Sequence, residues 1–236
     1  YGDVPYGYEN NYVLDYVLTS RYDILDNVIA SLNEVAPLMY KLGENGITAE
    51  RLSKTFVYAL AGQAALYAAG YQTIRTDVPG LYGDLQFEQI GVEEYKCVYA
   101  RRTDYLNYYR TAEVAFQNVF DNIGSAHLVT VDDRGYANNP FQRHFQYQHD
   151  LEISPESLFE IGNIQGGQSG QTTTSEYGYG FGRPSNGGSK NAAPCKCFAA
   201  IRILPTFYYG EYEEGDMRRD VSVAVTGSQG DGNEAM

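Results

Sequence analysis

Apolar residues recur every three or four positions in three stretches of the chain, and each stretch predicts an amphipathic helix. Between Ser20 and Met39, one stripe is formed by Leu25, Val28, Ile29, Leu32, Val35, Ala36 and Met39. Thr19 or Ser20 can cap its start, Asp23 falls in the first turn, and Pro37 marks its end. The second stretch, Thr48 to Gly70, contains no Pro and only Gly62 as an interior glycine. Its residues Leu52, Phe56, Leu60 and Tyr67 lie near helical spacing, which predicts one buried face. Thr48 is the expected cap, Glu50 suits the first turn, and Gly70 the left-handed position after the last turn. Ala59, Ala61, Gly62, Ala64, Ala65, Ala68 and Ala69 keep this helix slim, so it is expected to sit centrally with neighbours close by. The third stretch, Asp104 to Ile123, sets Tyr109, Ala112, Phe116, Val119, Phe120 and Ile123 on one face, with Gly124 ending it. A short polar loop, LGENG, joins the first two helices, which should therefore pack antiparallel.

Elsewhere the pattern is less regular. Tyr1 to Asn11 is punctuated by Gly2, Pro5 and Gly7 and reads as turn and loop. In the insertion after Tyr71, DVPGLYGD is turn-like, and EEYKCVYA fits either a short strand or a helical turn. After Ser125, HLVTVDD is compatible with a strand. Asn139 and Pro140 are placed as the cap and first residue of a short helix, and ESLFEIGNI reads as a buried strand. Residues 162–193 form a polar, Gly/Ser/Thr/Asn-rich stretch, of a length that is usually functional or without fixed structure. FAAIRILPTFYYGEYEEGDMRRD holds an apolar run, a Pro break and an acidic turn, and the tail VTGSQGDGNEAM reads as unstructured. The expectation is a mainly α fold, with a helical part over residues 1–124 and a loop-rich part over 125–236 carrying a few short strands. Gly62, Leu66, Tyr67, Gly70 and Tyr71, and later Ala112 with Phe116, loosely match the small and large positions of a tetratricopeptide repeat. An ordinary antiparallel helix pair fits the same residues equally well.

Composition narrows the partners more than the fold. The length supports one large domain or two small ones with a substantial core. A net charge of −13, from 17 basic and 30 acidic residues, repels phosphate backbones, so nucleic acid is not an expected partner. No apolar run has the length of a membrane-spanning helix. Cys97, Cys195 and Cys197 allow at most one disulfide, which is no disulfide framework. There are 23 Tyr and no Trp, and a Tyr ring suits wet binding surfaces as well as cores. The chain opens on Tyr1 without Met, basic n-region or apolar signal segment, and is read as processed or as an internal piece of something longer.

Catalytic chemistry finds little support in the residues. His144 and His149 are five apart and do not share a helix face, His127 is distant, and HExxH is absent. Solvated or hydrogen-bonded histidines are expected, not metal ligands. Cys195 and Cys197 lack the further ligands of a zinc site, which needs about four, and are expected as free or locally oxidised thiols. GYGFGR lacks the third glycine and the strand-to-helix context of a dinucleotide-binding turn. Glu211, Glu213, Glu214 and Asp216 could supply a glycosidase carboxylate pair, but beside Arg218 and Arg219 they are expected to pair on the surface. No cofactor, metal site or catalytic residue is predicted. The candidate ligand surface is SEYGYGFGRPSN, where Tyr177, Tyr179 and Phe181 alternate and so share one side of an extended segment. Such rings match the flat C–H faces of sugars, and Arg183 and Asn186 can contact the hydroxyl rim. Rings that merely pin the loop to the body are the alternative. Tyr6, Tyr8 and Tyr12 form a second candidate, read more as core or interface.

Taken in order, the segments carry a family resemblance. YGDVP, TSRYDILDNVIASLNEVAPLM, ITAERLSKTFVYALAGQAALYAAGY with Arg51 and Lys54, YYRTAEVAFQNVF, NNPFQRHFQYQ, ESLFEI and PTFYYGEYEEGDMRR follow one another along the chain. This order resembles the middle portion of the SusD/RagB family of bacterial outer-membrane lipoproteins. Family members are longer, and their lipid-bearing Cys, first helices and C-terminal helices have no counterpart among these residues. The resemblance implies tetratricopeptide-like helix pairs packed on a loop-rich region. It also implies a non-enzymatic, lipid-anchored protein at the cell surface. Such a protein captures glycans, or in some members peptides, as the lid of a SusC-like TonB-dependent transporter barrel. A surface glycoside hydrolase and a purely structural helical-repeat scaffold are the readings from other classes.

Overall fold

Ser20 opens the first helix by placing its Oγ where the Tyr22 amide needs an acceptor, at 3.1 Å. The computed structural model describes residues 18–135, 138–150, 152–161 and 203–223, with the backbone of 227–228 and 234–235. Contacts divide the chain into two compact units. The first holds the described residues up to His127 together with Ser157–Glu160, and the second the remainder.

In the first unit, α1 (Arg21–Val35) stops where Pro37 forces a tighter turn, Ala36–Leu38. Helix α2 (Lys54–Ala69) begins later than the sequence predicts. Ser53, not Thr48, is its cap: Ser53 is extended and its Oγ accepts the Phe56 amide at 3.2 Å. Residues 48–51 instead close a turn of their own, with the Arg51 amide donating to the Thr48 carbonyl. Gly70 is extended, with φ −79° and ψ 162°, so the expected left-handed residue is absent there.

The buried surface of α2 also differs from the expectation. Leu52 and Tyr67 are exposed, whereas Thr55, Val57, Ala61, Gly62, Ala64, Ala65, Ala68 and Ala69 are buried. Small residues win because they admit two neighbouring helices rather than one. A Cβ on Gly62 would lie 2.8 Å from the Phe116 ring, so the slim position is what seats that ring. Ile29 of α1, Ala64, Ala65, Ala68 and Ala69 of α2, and Tyr108 and Ala112 of α3 (Tyr105–Asp121) form one core. Lys54 at the start of α2 donates to the Tyr40 carbonyl beyond the end of α1, and Thr55 reaches the Asn122 carbonyl at the end of α3. Hence α2 runs antiparallel to both helices. On α3 the buried face is Tyr108, Ala112, Ala115 and Val119, one position round from the predicted stripe, and Tyr109 and Phe120 point outward.

The insertion between α2 and α3 forms a three-stranded antiparallel sheet of β1 (Gln72–Arg75), β2 (Phe87–Glu94) and β3 (Cys97–Arg102), in the order β1-β3-β2. Tyr95 and Lys96 both have positive φ, the geometry of a two-residue hairpin turn whose twist matches its strands. The fold is therefore helix-rich but mixed. One sheet face packs Ile74 and Ala100 on Tyr22, with Tyr82, Leu85, Phe87 and Val98 around them. Arg102 continues that face and binds Tyr108, Asp26 and Asp104, tying β3 to α1 and α3. Because Arg102 holds the Asp104 carboxylate, α3 has no side-chain cap. Among the described residues the buried Tyr22 hydroxyl has no hydrogen-bond partner, and burial pushes its pKa up. Removing that hydroxyl removes an unmet desolvation cost, so Tyr22→Phe should raise the unfolding free energy by about 1 kcal/mol. Urea unfolding of the two proteins measures it, and a clear destabilisation would show that the hydroxyl has a partner after all.

Leu158 joins Leu42, Ala49, Ala126 and Ile123 in a separate cluster, and Phe159 stacks on Phe56 at 4.6 Å. The predicted strand in ESLFEIGNI is absent over its described part, residues 156–161. Its apolar residues are placed by packing, and the Glu160 amide donates to the Ala49 carbonyl at 2.8 Å.

In the second unit, HLVTVDD is irregular from Leu128 on, and both Leu128 and Val131 are exposed, so the strand compatible with its sequence does not form. Helix α4 (Pro140–His149) starts as predicted, with Asn139 Oδ1 accepting the Gln142 amide at 3.1 Å. Arg143 is held between Asp133 and Asp150, at 2.6 and 2.9 Å, with the Tyr147 ring 3.9 Å from its guanidinium. Short helices α5 (Pro205–Gly210) and α6 (Arg219–Ser222) follow, linked by the Tyr208 hydroxyl donating to Asp220 at 2.6 Å. The tail, read as unstructured, pairs β4 (Gly227–Ser228) with β5 (Glu234–Ala235) in an antiparallel ladder.

Candidate functional site

The outward face of the three-stranded sheet carries a row of aromatic rings and one guanidinium. Strand alternation puts Tyr99 and Arg101 of β3 on the side opposite Ala100, whose side is taken by the core. Register places Glu88 of β2 directly across from Arg101, and the two form an ion pair. Tyr71, in the link between α2 and β1, donates its hydroxyl to the same carboxylate oxygen of Glu88 at 2.9 Å. Tyr105 and Tyr109 lie one turn apart on α3, their ring centroids 5.6 Å apart and nearly perpendicular.

These groups form a continuous ladder. Tyr99 stacks on Tyr71 at 5.7 Å with an interplanar angle of 27°. The Arg101 guanidinium lies 4.6 Å from the Tyr71 ring centre and 3.5 Å from that of Tyr105, an alternation that cation–π attraction favours. Hydrogen bonds from Arg101 and then Tyr71 hold the Glu88 carboxyl below its ordinary range, and the bond to Glu88 raises the Tyr71 hydroxyl. Tyr99 is 51 % exposed and Tyr109 42 %, so the ladder presents aromatic surface while its middle is fixed. An aromatic surface beside fixed polar groups can bind a ligand with both an apolar face and a polar rim.

Sequence reasoning missed this site. Its members are scattered from Tyr71 to Tyr109, and only the pairing of β2 with β3 brings Glu88 to Arg101. The spacing of Tyr105 and Tyr109 was the one local signal. The predicted ligand residues Tyr177, Tyr179, Phe181, Arg183 and Asn186 lie outside the described residues, as do Tyr6, Tyr8, Tyr12, Cys195 and Cys197.

One cluster superficially resembles a hydrolytic triad. His144 Nδ1 lies 2.6 Å from Ser154 Oγ and 3.7 Å from Glu156 Oε2. A triad needs the nucleophile and the carboxylate on opposite ring nitrogens, whereas here both share one. Ser154 is also only 1 % exposed and accepts the Glu156 amide. The cluster clamps α4 to the segment that follows it. His127 Nδ1 lies 3.1 Å from the Ser125 carbonyl. In the acidic turn, Asp216 pairs with Arg218 at 2.6 Å, and that pairing keeps its carboxyl well below the ordinary range. Among the described residues no group of His, Cys, Asp and Glu has the makings of a metal site, and no helix is long and apolar enough to cross a membrane.

No protein-family model matches the chain, and neither a curated protein nor a solved structure matches it.

Proposed function

We propose that this chain is the central part of a SusD/RagB-like surface protein that captures glycans, or peptides, without transforming them. The observation that carries the reading is the Tyr99–Tyr71–Arg101–Tyr105–Tyr109 ladder, which offers stacking surface and hydrogen-bonding groups but no nucleophile or acid–base pair. The order of the sequence landmarks supports the same family. In this reading α2 and α3 are a tetratricopeptide-like helix pair into which the three-stranded sheet is inserted. The protein is lipid-anchored at the outer membrane and acts as lid to a TonB-dependent transporter barrel.

The experiment is to incubate the protein with a panel of oligosaccharides and peptides and follow both binding and product formation. Reversible binding without turnover is the expected result. Turnover would instead favour a surface glycoside hydrolase, and neither binding nor turnover would favour a structural scaffold. Gentle detergent extraction from the source cells should recover the protein with a large β-barrel partner. Recovery as a lone monomer would count against the lid role.

A further inference from the structure

The two edges of the three-stranded sheet differ. The Thr103 amide donates to the carbonyl of Gln86 opposite it, so the backbones of Gln86, Glu88 and Ile90 face β3 and those of Phe87 and Gln89 face away. At the β1 edge the same alternation turns Arg75 away from β3, and the Tyr82 hydroxyl takes its amide at 3.2 Å. The β2 edge has no such cover: the amides and carbonyls of Phe87 and Gln89 make no hydrogen bond among the described residues. Unpaired groups of this kind are a template for a further strand. The open stretch is short, because beyond Ile90 the pairing with β3 shifts, Gly91 has φ +80°, and its carbonyl accepts the Gln89 side chain at 3.3 Å. Residues 84–94, DLQFEQIGVEE, hold four acidic groups and no basic one. Glu88 is paired with Arg101, whereas Glu93 and Glu94 are exposed and have no ion pair among the described residues. Lys96 in the adjoining turn offsets only one of these charges.

We propose that the β2 edge docks a basic partner protein, which adds an extended segment as a fourth strand beside Phe87–Ile90. Phe87 and Gln89 each offer one N–H and one C=O to such a strand, and these backbone bonds fix its register. Lysine or arginine side chains flanking the segment meet Glu93 and Glu94, which supplies the charge complementarity. An apolar residue of the segment can rest on Ile90, which is 55 % exposed on the outward face. A second copy of this chain is the poorer occupant, since it brings the same acidic edge and another net charge of −13. The edge is distinct from the aromatic ladder, and the inference does not depend on the capture reading above.

The test uses the intact protein and a blocked peptide of alternating Lys and Val, with titration calorimetry and amide hydrogen exchange as readouts. Two control peptides replace Lys by Glu, or alternate Val by Pro, which keeps the charge but cannot form a ladder. The Lys/Val peptide should bind and slow exchange at the Phe87 and Gln89 amides, with both controls weaker by about tenfold or more. Gln89→Pro removes an amide that faces away from β3, so it should weaken binding by roughly tenfold while the sheet is kept. Changing Glu93→Gln and Glu94→Gln together should weaken binding by about threefold and reduce its salt dependence. If Gln89→Pro lowers the melting point sharply, exchange at Phe87 and Gln89 in the unaltered protein decides the matter. Equal binding of the Pro-containing peptide overturns the proposal, because charge alone then accounts for the association. Binding lost in Tyr99→Ala but kept in Gln89→Pro also overturns it, and places peptide capture on the ladder. No binding of the Lys/Val peptide overturns the edge as a docking surface and leaves glycan capture standing.

Discussion

Gly124→Ala should lower the unfolding free energy by about 3 kcal/mol, adding a steric clash to backbone strain. Gly124 follows the end of α3 with φ +66°, and a Cβ built there falls 2.1 Å from the Leu42 carbonyl oxygen. That oxygen cannot swing away, because it accepts the Ser125 amide at 2.9 Å. The approach is close from the other side too, since a Cβ on Gly43 would lie 2.7 Å from the Ser125 side chain. Two glycines thus let segments 42–43 and 124–125 cross in contact. Gly80→Ala provides the control: its φ is +76°, but nothing lies within 4 Å of the added carbon. It should cost only the backbone share, about 1 kcal/mol. Chemical denaturation of both variants decides the matter, and equal losses would mean that the crossing itself contributes nothing.

The helices were legible because their signals are local. Ser20, Asn139 and Pro140 sit at helix starts, where an acceptor or a missing N–H is favourable whatever surrounds them. The start of α2 was less legible, since Thr48 and Ser53 are both competent caps. The turn after Thr48 and the bond from Lys54 to Tyr40 settle the choice through contacts that spacing does not encode. The burial of α2 misled for a related reason. Periodicity rewards large apolar residues, but a helix between two others buries whatever allows close approach, and here that is Ala and Gly. Two apolar runs, HLVTVDD and ESLFEI, have the pattern of strands, but over the described residues neither joins a ladder. The ladder was hidden most deeply. A strand pairing joins Arg101 to Glu88, helix α3 brings Tyr105 beneath Arg101, and neither relation is a motif.

Thr55→Val should cost about 2–3 kcal/mol even though the two side chains are nearly the same shape. Thr55 is fully buried near the start of α2. Its hydroxyl donates to the Asn122 carbonyl at 2.6 Å and accepts the Leu42 amide at 3.3 Å, joining α2, the end of α3 and the loop after α1 through one atom. Valine fills the space but leaves a donor and an acceptor without partners away from water, and that desolvation is not recovered. Thr55→Ser is the informative comparison, since it keeps the hydroxyl and loses one methyl, at about 1 kcal/mol. The order of stability should be Thr, then Ser, then Val. If Val proved at least as stable as Ser in urea unfolding, the hydroxyl bridge would carry no net stability and packing alone would join these segments. Because Thr55 is not part of the ladder, glycan affinity per folded molecule should be the same in all three proteins.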